Sequence, residues 1–458
     1  MFGVKDGFDI VIGNPPYVQL QNNGGALAQK YEEQEYKTFA RTGDEYCLFY
    51  ERGWQLLKDG GHLCFITSNK WMRAGYGEKT RAFFAKNTNP ILLIDFAGVK
   101  IFESATVDTN ILLFGKEKNQ KKTICAVTNK ENKDSVKKLS HFVQQQHTVN
   151  AFASSDSWVI LSPIEQSIKQ KIEAVGVPLK DWDINIYRGV LTGCNEAFII
   201  NTDKRNEILA NCKNEAERKR TEELIRPILR GRDIKRYGYE WAGLWLIATF
   251  PARHYDIEQY PAVKEYLLSF AEDYLRKNSC EWVVDDYLAD FCKQKLSQTG
   301  KYIVINGNEL TINGKKEKAR KRTSNKWFET QDSISYLEDF DKPKIMYSEI
   351  ARKPQFFLDV DNNFYPEATS FIMSGEGLNT LYHVFNSSLA TYLFKRFYAG
   401  GGLGENGYRY KKAFFENLPI PKALLHQKID EFNANKCLIG LFGFDSKEIS
   451  FIESQSNL

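Results

Sequence analysis

The stretch Phe8 to Tyr17, FDIVIGNPPY, carries the reading of the fold. Phe8, Ile10, Val11 and Ile12 make a short apolar run, which predicts a strand buried on both faces. Gly13-Asn14-Pro15-Pro16-Tyr17 then breaks that strand. A proline pair fixes φ and offers no N–H, so the loop is stiff. A stiff loop at the carboxyl end of a buried strand is where open α/β sheets bind ligands. This one presents a side-chain amide, backbone carbonyls and an aromatic ring. Together they form an acceptor-rich clamp for an amino group, with a ring to stack beside it. The plainer reading is a strand-to-loop turn with an exposed tyrosine.

Working outward, Val18 to Arg41 is polar and contains Asn22-Asn23-Gly24-Gly25, which predicts a mobile loop and a short helix. Tyr46 to Leu57 has apolar residues at helical spacing, and Lys58-Asp59-Gly60-Gly61 is expected to end that helix with a glycine cap. His62 to Thr67, Ile91 to Phe96 and Thr106 to Phe114 read as strands, and Lys79 to Lys86 as a helix. This order predicts an α/β fold, half of a doubly wound sheet.

The tetrapeptide NPPY resembles the catalytic motif of amino-methyltransferases that act on adenine N6 in DNA. The order of elements after it resembles the second half of the methyltransferase fold. The resemblance implies that the Asn14 side-chain oxygen and the Pro15 carbonyl accept hydrogen bonds from the exocyclic amine, that Tyr17 stacks on a flipped adenine, and that S-adenosyl-L-methionine donates the methyl group without a metal. In a TaqI-like layout the segment IFESATVDTNILLF supplies a second stacking ring, which falls on Phe114. A core position on an amphipathic strand is an equally good account of Phe114, and Phe102 is an alternative ring.

Three more stretches resemble the specificity domain of Type IIG restriction–modification enzymes: RGVLTGCNEAF from Arg188, LRGRDIKRY from Leu229, and Tyr398 to Pro421, YAGGGLGENGYRYKKAFFENLPIP. Trp327 to Ile350 belongs with them. The implied arrangement is a catalytic domain over 1–157, a linker helix over 158–181, an α+β target-recognition domain over 182–422 and a tail over 423–458. Within the linker, Ser162, Pro163 and Glu165 have the spacing of a helix N-cap with a capping box. Double-stranded DNA is the implied partner, bound between the two domains. Arg188, Arg230, Arg232, Arg236, Arg352 and Arg409 are the candidate DNA contacts, chosen by charge and motif position. From composition alone, a solvated basic face is the simpler account of the cluster from Arg226 to Trp241.

The 458 residues allow two or three domains. Net charge is only +4, so the distribution of cations, not their excess, points to nucleic acid. Eight scattered cysteines without a CxxC pair predict reduced, packed thiols. No apolar run approaches the ~20 residues of a membrane span, and the cytoplasm is the expected location. The run Lys315 to Arg322, KKEKARKR, is expected to be a mobile basic loop, and Ala423 to Asn433 a helix.

The fold implied by the resemblance has three further strands before FDIVI, with the glycine-rich loop that cradles S-adenosyl-L-methionine. Only the edge at Asn14 and Pro16 is expected to touch the cofactor here, and an upstream chain is the expected source of the rest. Two rival functions remain: a DNA-binding module without catalysis, and a protein glutamine methyltransferase that uses a similar NPPY.

Overall fold

The computed structural model describes residues 6–102, 108–128, 133–279, 285–297, 300–361, 363–400 and 407–455. The chain divides into two compact units: one of Met1–Gly176, Leu393–Leu403 and Phe442–Asn457, the other of Val177–Tyr392 and Gly404–Leu441.

The first unit is built on a mixed sheet. Its elements are β1 (Phe8–Gly13), α1 (Asn22–Glu32), α2 (Tyr46–Leu56), β2 (Leu57–Ser68), α3 (Glu78–Asn87), β3 (Asn89–Asp95), β4 (Thr109–Gly115), β5 (Thr123–Val127), α4 (Leu139–Gln146), β6 (Thr148–Asn150) and α5 (Pro163–Val175). The strand order is β1-β2-β4-β3-β5-β6. β1 runs parallel to β2, while β4 lies antiparallel between β2 and β3. The carboxyl ends of β1, β2 and β3 therefore share one edge of the sheet. Beneath them sits an aromatic core that includes Tyr46, Tyr50, Phe65, Trp71, Phe84, Phe114 and Trp158.

Several expectations are corrected. β1 is not buried on both faces: among the described residues it is an edge strand hydrogen-bonded only to β2. Phe8, Ile10 and Ile12 alternate onto one uncovered face, where Ile10 is 67% and Ile12 78% exposed. Only Val11 packs against the aromatic core. The Lys58 to Gly61 segment does not cap α2, because Leu57 is already extended and the segment bulges within β2. Gly60, at φ +75°, makes that bulge possible. In the second unit, the helices Thr202–Ala210 and Glu215–Leu224 are each N-capped by an asparagine side chain, Asn201 and Asn214. The expected tail helix is a short 3-10 turn, Lys422–His426, and the α-helices lie further on, at Ala434–Phe442 and Ser446–Gln455.

The basic run at 315–322 is not a free loop. Lys315–Lys316 pairs with Thr311–Ile312, and Arg320 is 3% exposed. The Arg320 guanidinium donates to the carbonyls of Thr192, Glu329, Leu296 and Trp327. It thus serves as an internal brace in the second unit. The glycine-rich stretch at 401–406 lies outside the described residues.

The helix start at Ser162 forms as the spacing indicates. Ser162 caps α5, and the Glu165 carboxylate returns to the Ser162 amide, closing the capping box. This helix lies in the first unit.

The second unit contains two four-stranded sheets. One runs Tyr365–Pro366, Ile225–Leu229, Leu244–Ile247, Ile199–Asn201; the other Phe356–Asp359, Lys344–Ser348, Ser370–Gly375, Ile184–Arg188. Pro366 to Ser370 passes from one to the other.

Candidate functional site

The NPPY loop leaves β1 where the topology sets the carboxyl ends of β1 to β3 side by side. Gly13 pairs with Phe65, so the loop runs on beside Ile66 to Ser68. Pro15 is buried, whereas Asn14 and Pro16 are exposed. The Asn14 side chain has no hydrogen-bond partner among the described residues, which leaves both its oxygen and its amide open to a ligand. Tyr17 is half-buried, and its hydroxyl reaches the Ile66 carbonyl at 3.4 Å. Burial pushes the Tyr17 phenol above its ordinary value, so at neutral pH it is a neutral ring. The loop thus sets an exposed side-chain amide, Asn14, beside a buried proline, with a half-buried ring two residues further on.

Phe114 is not part of it. The ring is 0% exposed, tilted against Phe84 at 5.6 Å and Tyr50 at 6.4 Å. A ring enclosed in this way has no free face for a base, and the core reading of Phe114 replaces the stacking one. The cause is the inward register of β4: Phe114 lies opposite Leu63, itself buried, on the face that the helices cover.

The candidate arginines differ in how far they are already engaged. Arg230 is bound to Asp233 in a two-pronged pair at 2.8 and 2.7 Å. Arg188 donates to the Ala368 carbonyl at 3.1 Å, and Arg236 to the Asn386 carbonyl at 3.2 Å with its guanidinium 5.0 Å from the Tyr237 ring. Within the same basic cluster, Arg226 pairs with Asp341 and Lys235 with Glu240. Cations that look like one solvated patch in the sequence are therefore largely matched by acids.

A cavity of about 870 Å³ in the second unit gathers three of the six: Arg230, Arg232 and Arg352 line it. Arg409 joins its rim, since Ile350 pairs with Arg409 and the Arg409 guanidinium lies 3.7 Å from the cavity-lining Glu349. Motifs separated by up to 180 residues meet here because the 366–370 crossing binds each of them. Gly231 donates to the Thr369 hydroxyl at 3.0 Å, Glu349 to the Thr369 carbonyl at 2.9 Å, and Gly189 to the Ser370 carbonyl at 2.9 Å. A Cβ on Gly189 would stand 2.1 Å from the Glu367 carbonyl oxygen, which explains the glycine after Arg188.

Sequence reasoning missed Asn195, Glu349, Lys353, Glu367 and Thr369 as cavity residues. Only Glu367 left a signal, a lone carboxylate between the apolar runs of FYPEATSFIM. It is buried and turned onto Thr369, whose amide and hydroxyl it accepts. Among the described residues no three His, Cys, Asp or Glu are grouped as metal ligands, and no helix is long and apolar enough to cross a membrane.

These features define the class: a mixed α/β unit with a double-proline loop and an exposed asparagine at its sheet edge, and a separate unit with a basic cavity. Comparison with known proteins narrows it. Residues 1–102 match the Eco57I restriction-modification methylase family. Type II methyltransferase M.BstVI of Geobacillus stearothermophilus is 23% identical over 449 residues, covering 92% of this chain and 69% of the relative. Type II restriction enzyme and methyltransferase RM.Eco57I of Escherichia coli is 26% identical over 197 residues, 42% of this chain and 19% of that enzyme. M.PaeR7I of Pseudomonas aeruginosa is 24% identical over 274 residues, 57% of this chain and 45% of the relative. Among solved structures, the Type IIL restriction-modification enzyme MmeI superposes with a TM-score of 0.48 at 11% identity, covering 98% of this chain and 57% of MmeI. The chain thus spans a fifth to two thirds of the length of the curated relatives it matches.

Proposed function

We propose that this chain carries the adenine clamp and the DNA-reading unit of a Type II restriction-modification methyltransferase, of Type IIG layout, that modifies adenine N6. The observation that carries this reading is Asn14: an exposed, unpartnered amide on a double-proline loop at the carboxyl end of β1. The similarity of residues 1–102 to the Eco57I methylase family supports it.

In this reading the target adenine leaves the duplex stack to reach the loop. The Asn14 Oδ1 and the Pro15 carbonyl accept the two amine hydrogens, which holds the nitrogen lone pair in one direction. Tyr17 supplies a ring for the base. Because the prolines fix the loop before substrate arrives, little ordering remains at the moment of reaction. S-adenosyl-L-methionine would supply the methyl group. Asn14 and Pro16 are open at the sheet edge and suit one side of that cofactor. The bulk of its site is proposed to come from sequence outside these 458 residues, docked on the uncovered apolar face of β1. That face, with Ile10 and Ile12 exposed, supports the proposal. The second unit would hold double-stranded DNA through Arg232, Arg352 and Lys353, with Arg188, Arg230, Arg236 and Arg409 as further candidate contacts.

The test is to express the full-length protein in cells without adenine methylation and sequence the genome for modified bases. N6-methyladenine at one recurring sequence is expected. An unmodified genome, with DNA binding retained, would favour the non-catalytic module. Methylated glutamine in a protein with unmodified DNA would favour the protein methyltransferase.

A further inference from the structure

The Tyr17 hydroxyl contact, at 3.4 Å, is near the limit of a hydrogen bond and holds the ring weakly. Other groups must fix it. The residues after Tyr17 are laced to the approach to α2: Glu45 N–H donates to the Val18 carbonyl at 2.8 Å, Leu20 N–H to the Gly43 carbonyl at 2.9 Å, and Gln19 bridges Asp44. This lacing brings Tyr46 edge-on to Tyr17, with centroids 6.0 Å apart and planes at 81°.

Tyr46 is 0% exposed, and its hydroxyl meets the Tyr76 hydroxyl at 2.7 Å. Tyr76 in turn donates to the Asp44 carboxylate at 2.7 Å. A phenol has one proton, and Tyr76 gives its proton to Asp44, so Tyr46 is the donor to Tyr76. Direction runs one way along the chain, from Tyr46 through Tyr76 to a carboxylate on the segment that bridges Gln19. The contacts close into a ring: Tyr17, Tyr46, Tyr76, Asp44, Gln19. Tyr76 is held from a separate turn, Gly75–Gly77, in which a Cβ on Gly77 would lie 2.0 Å from the Trp71 carbonyl oxygen. A phenylalanine at 46 would bury similar apolar area without an interior hydroxyl to satisfy. Orientation is what the polar chain adds.

We propose that Asp44 and Tyr76 are positioning residues which, through Tyr46, set the plane of the Tyr17 ring for the base it receives. The role of that ring rests on the function proposed above. The chain's action on the ring is tested separately.

For the first arm, 3-fluorotyrosine is placed at position 17 of the 458-residue chain and its fluorine resonance recorded. Tyr76→Phe and Asp44→Asn should each shift or broaden it. Tyr398→Phe, which removes a phenol bonded to Glu173 at 3.3 Å and to none of these residues, should leave it in place. An unchanged resonance in Tyr76→Phe overturns the proposal. For the second arm, Tyr76→Phe in the full-length enzyme should lower kcat about tenfold to a hundredfold while KM for DNA stays within about twofold. Asp44→Asn combined with Tyr76→Phe should be no worse than the single changes. Multiplying losses, or a KM effect alone, contradict it. If the unsubstituted enzyme methylates nothing, the function reading fails while the fluorine arm still decides the chain.

Discussion

Phe114 and Phe84 lie with ring centroids 5.6 Å apart at 46°, and neither exposes any surface. Phe114 is therefore a packing residue. Phe114→Ala should cost about 3–5 kcal/mol of stability, the usual range for a buried phenylalanine. Denaturant unfolding measures this. A variant that keeps its stability but loses DNA methylation would return Phe114 to the active site.

Gly189 lies where a side chain cannot follow. Its absent Cβ would meet the Glu367 carbonyl oxygen at 2.1 Å, and the obstacle is backbone. Gly189→Ala should destabilise the protein by about 2–3 kcal/mol, since backbone must move to admit one methyl. It should also weaken DNA binding, because the 366–370 crossing that gathers the cavity is displaced. Melting and binding measured together check this, and an unchanged melting temperature contradicts the close packing.

Arg232 lines the cavity and is exposed, whereas its neighbour Arg230 is consumed by Asp233. Arg232→Ala should weaken binding to duplex DNA and reduce the slope of log K against log salt by about 1. Arg226→Ala, which removes a cation already paired with Asp341, should change that slope less. Equal slopes for Arg232→Ala and the parent would place the cavity away from phosphates.

Glu165 joins the capping box of α5 to Arg396, whose Nε lies 2.5 Å from its carboxylate. Burial alone would raise its pKa. The Arg396 guanidinium and the Ser162 amide and hydroxyl outweigh burial and hold it below the ordinary carboxylate value. A lowered folded-state pKa stabilises the protein above the unfolded value, and the contribution disappears as pH falls through the folded value. Glu165→Gln should therefore cost about 1.5–3 kcal/mol at neutral pH. The gap between variant and parent should narrow as pH falls below the ordinary glutamate value and close once pH is below the lower folded-state value. A gap that is constant with pH contradicts the charge pairing.

How much of this was legible before the structure differs by element. Much of the order of strands and helices to Phe114 was readable because the elements carry their own periods and several, such as β1 and α3, end at glycine or asparagine, although α2 runs straight into β2 without such a stop. The capping box at Ser162 was readable because it is a local device. The exposure of Ile10 and Ile12 was not, since an apolar run reads the same on an edge strand as in the sheet interior. The pairing of Arg230 with Asp233 needs only three residues of separation and was within reach. The cavity was not: Glu349, Thr369 and Arg232 meet only through the crossing at 366–370, and no local pattern encodes a contact over more than a hundred residues. Arg320 shows the same limit, a cation in a basic run that the fold turns inward onto four carbonyls.

In the proposed function, the open amide of Asn14 orients the adenine amine. The most direct measurement compares the full-length protein with its Asn14→Ala variant, expressed in cells lacking other adenine methylation. N6-methyladenine is counted by sequencing, and duplex DNA binding is measured in parallel. Loss of methylation with binding retained is the predicted result. Methylation undiminished in Asn14→Ala would contradict it.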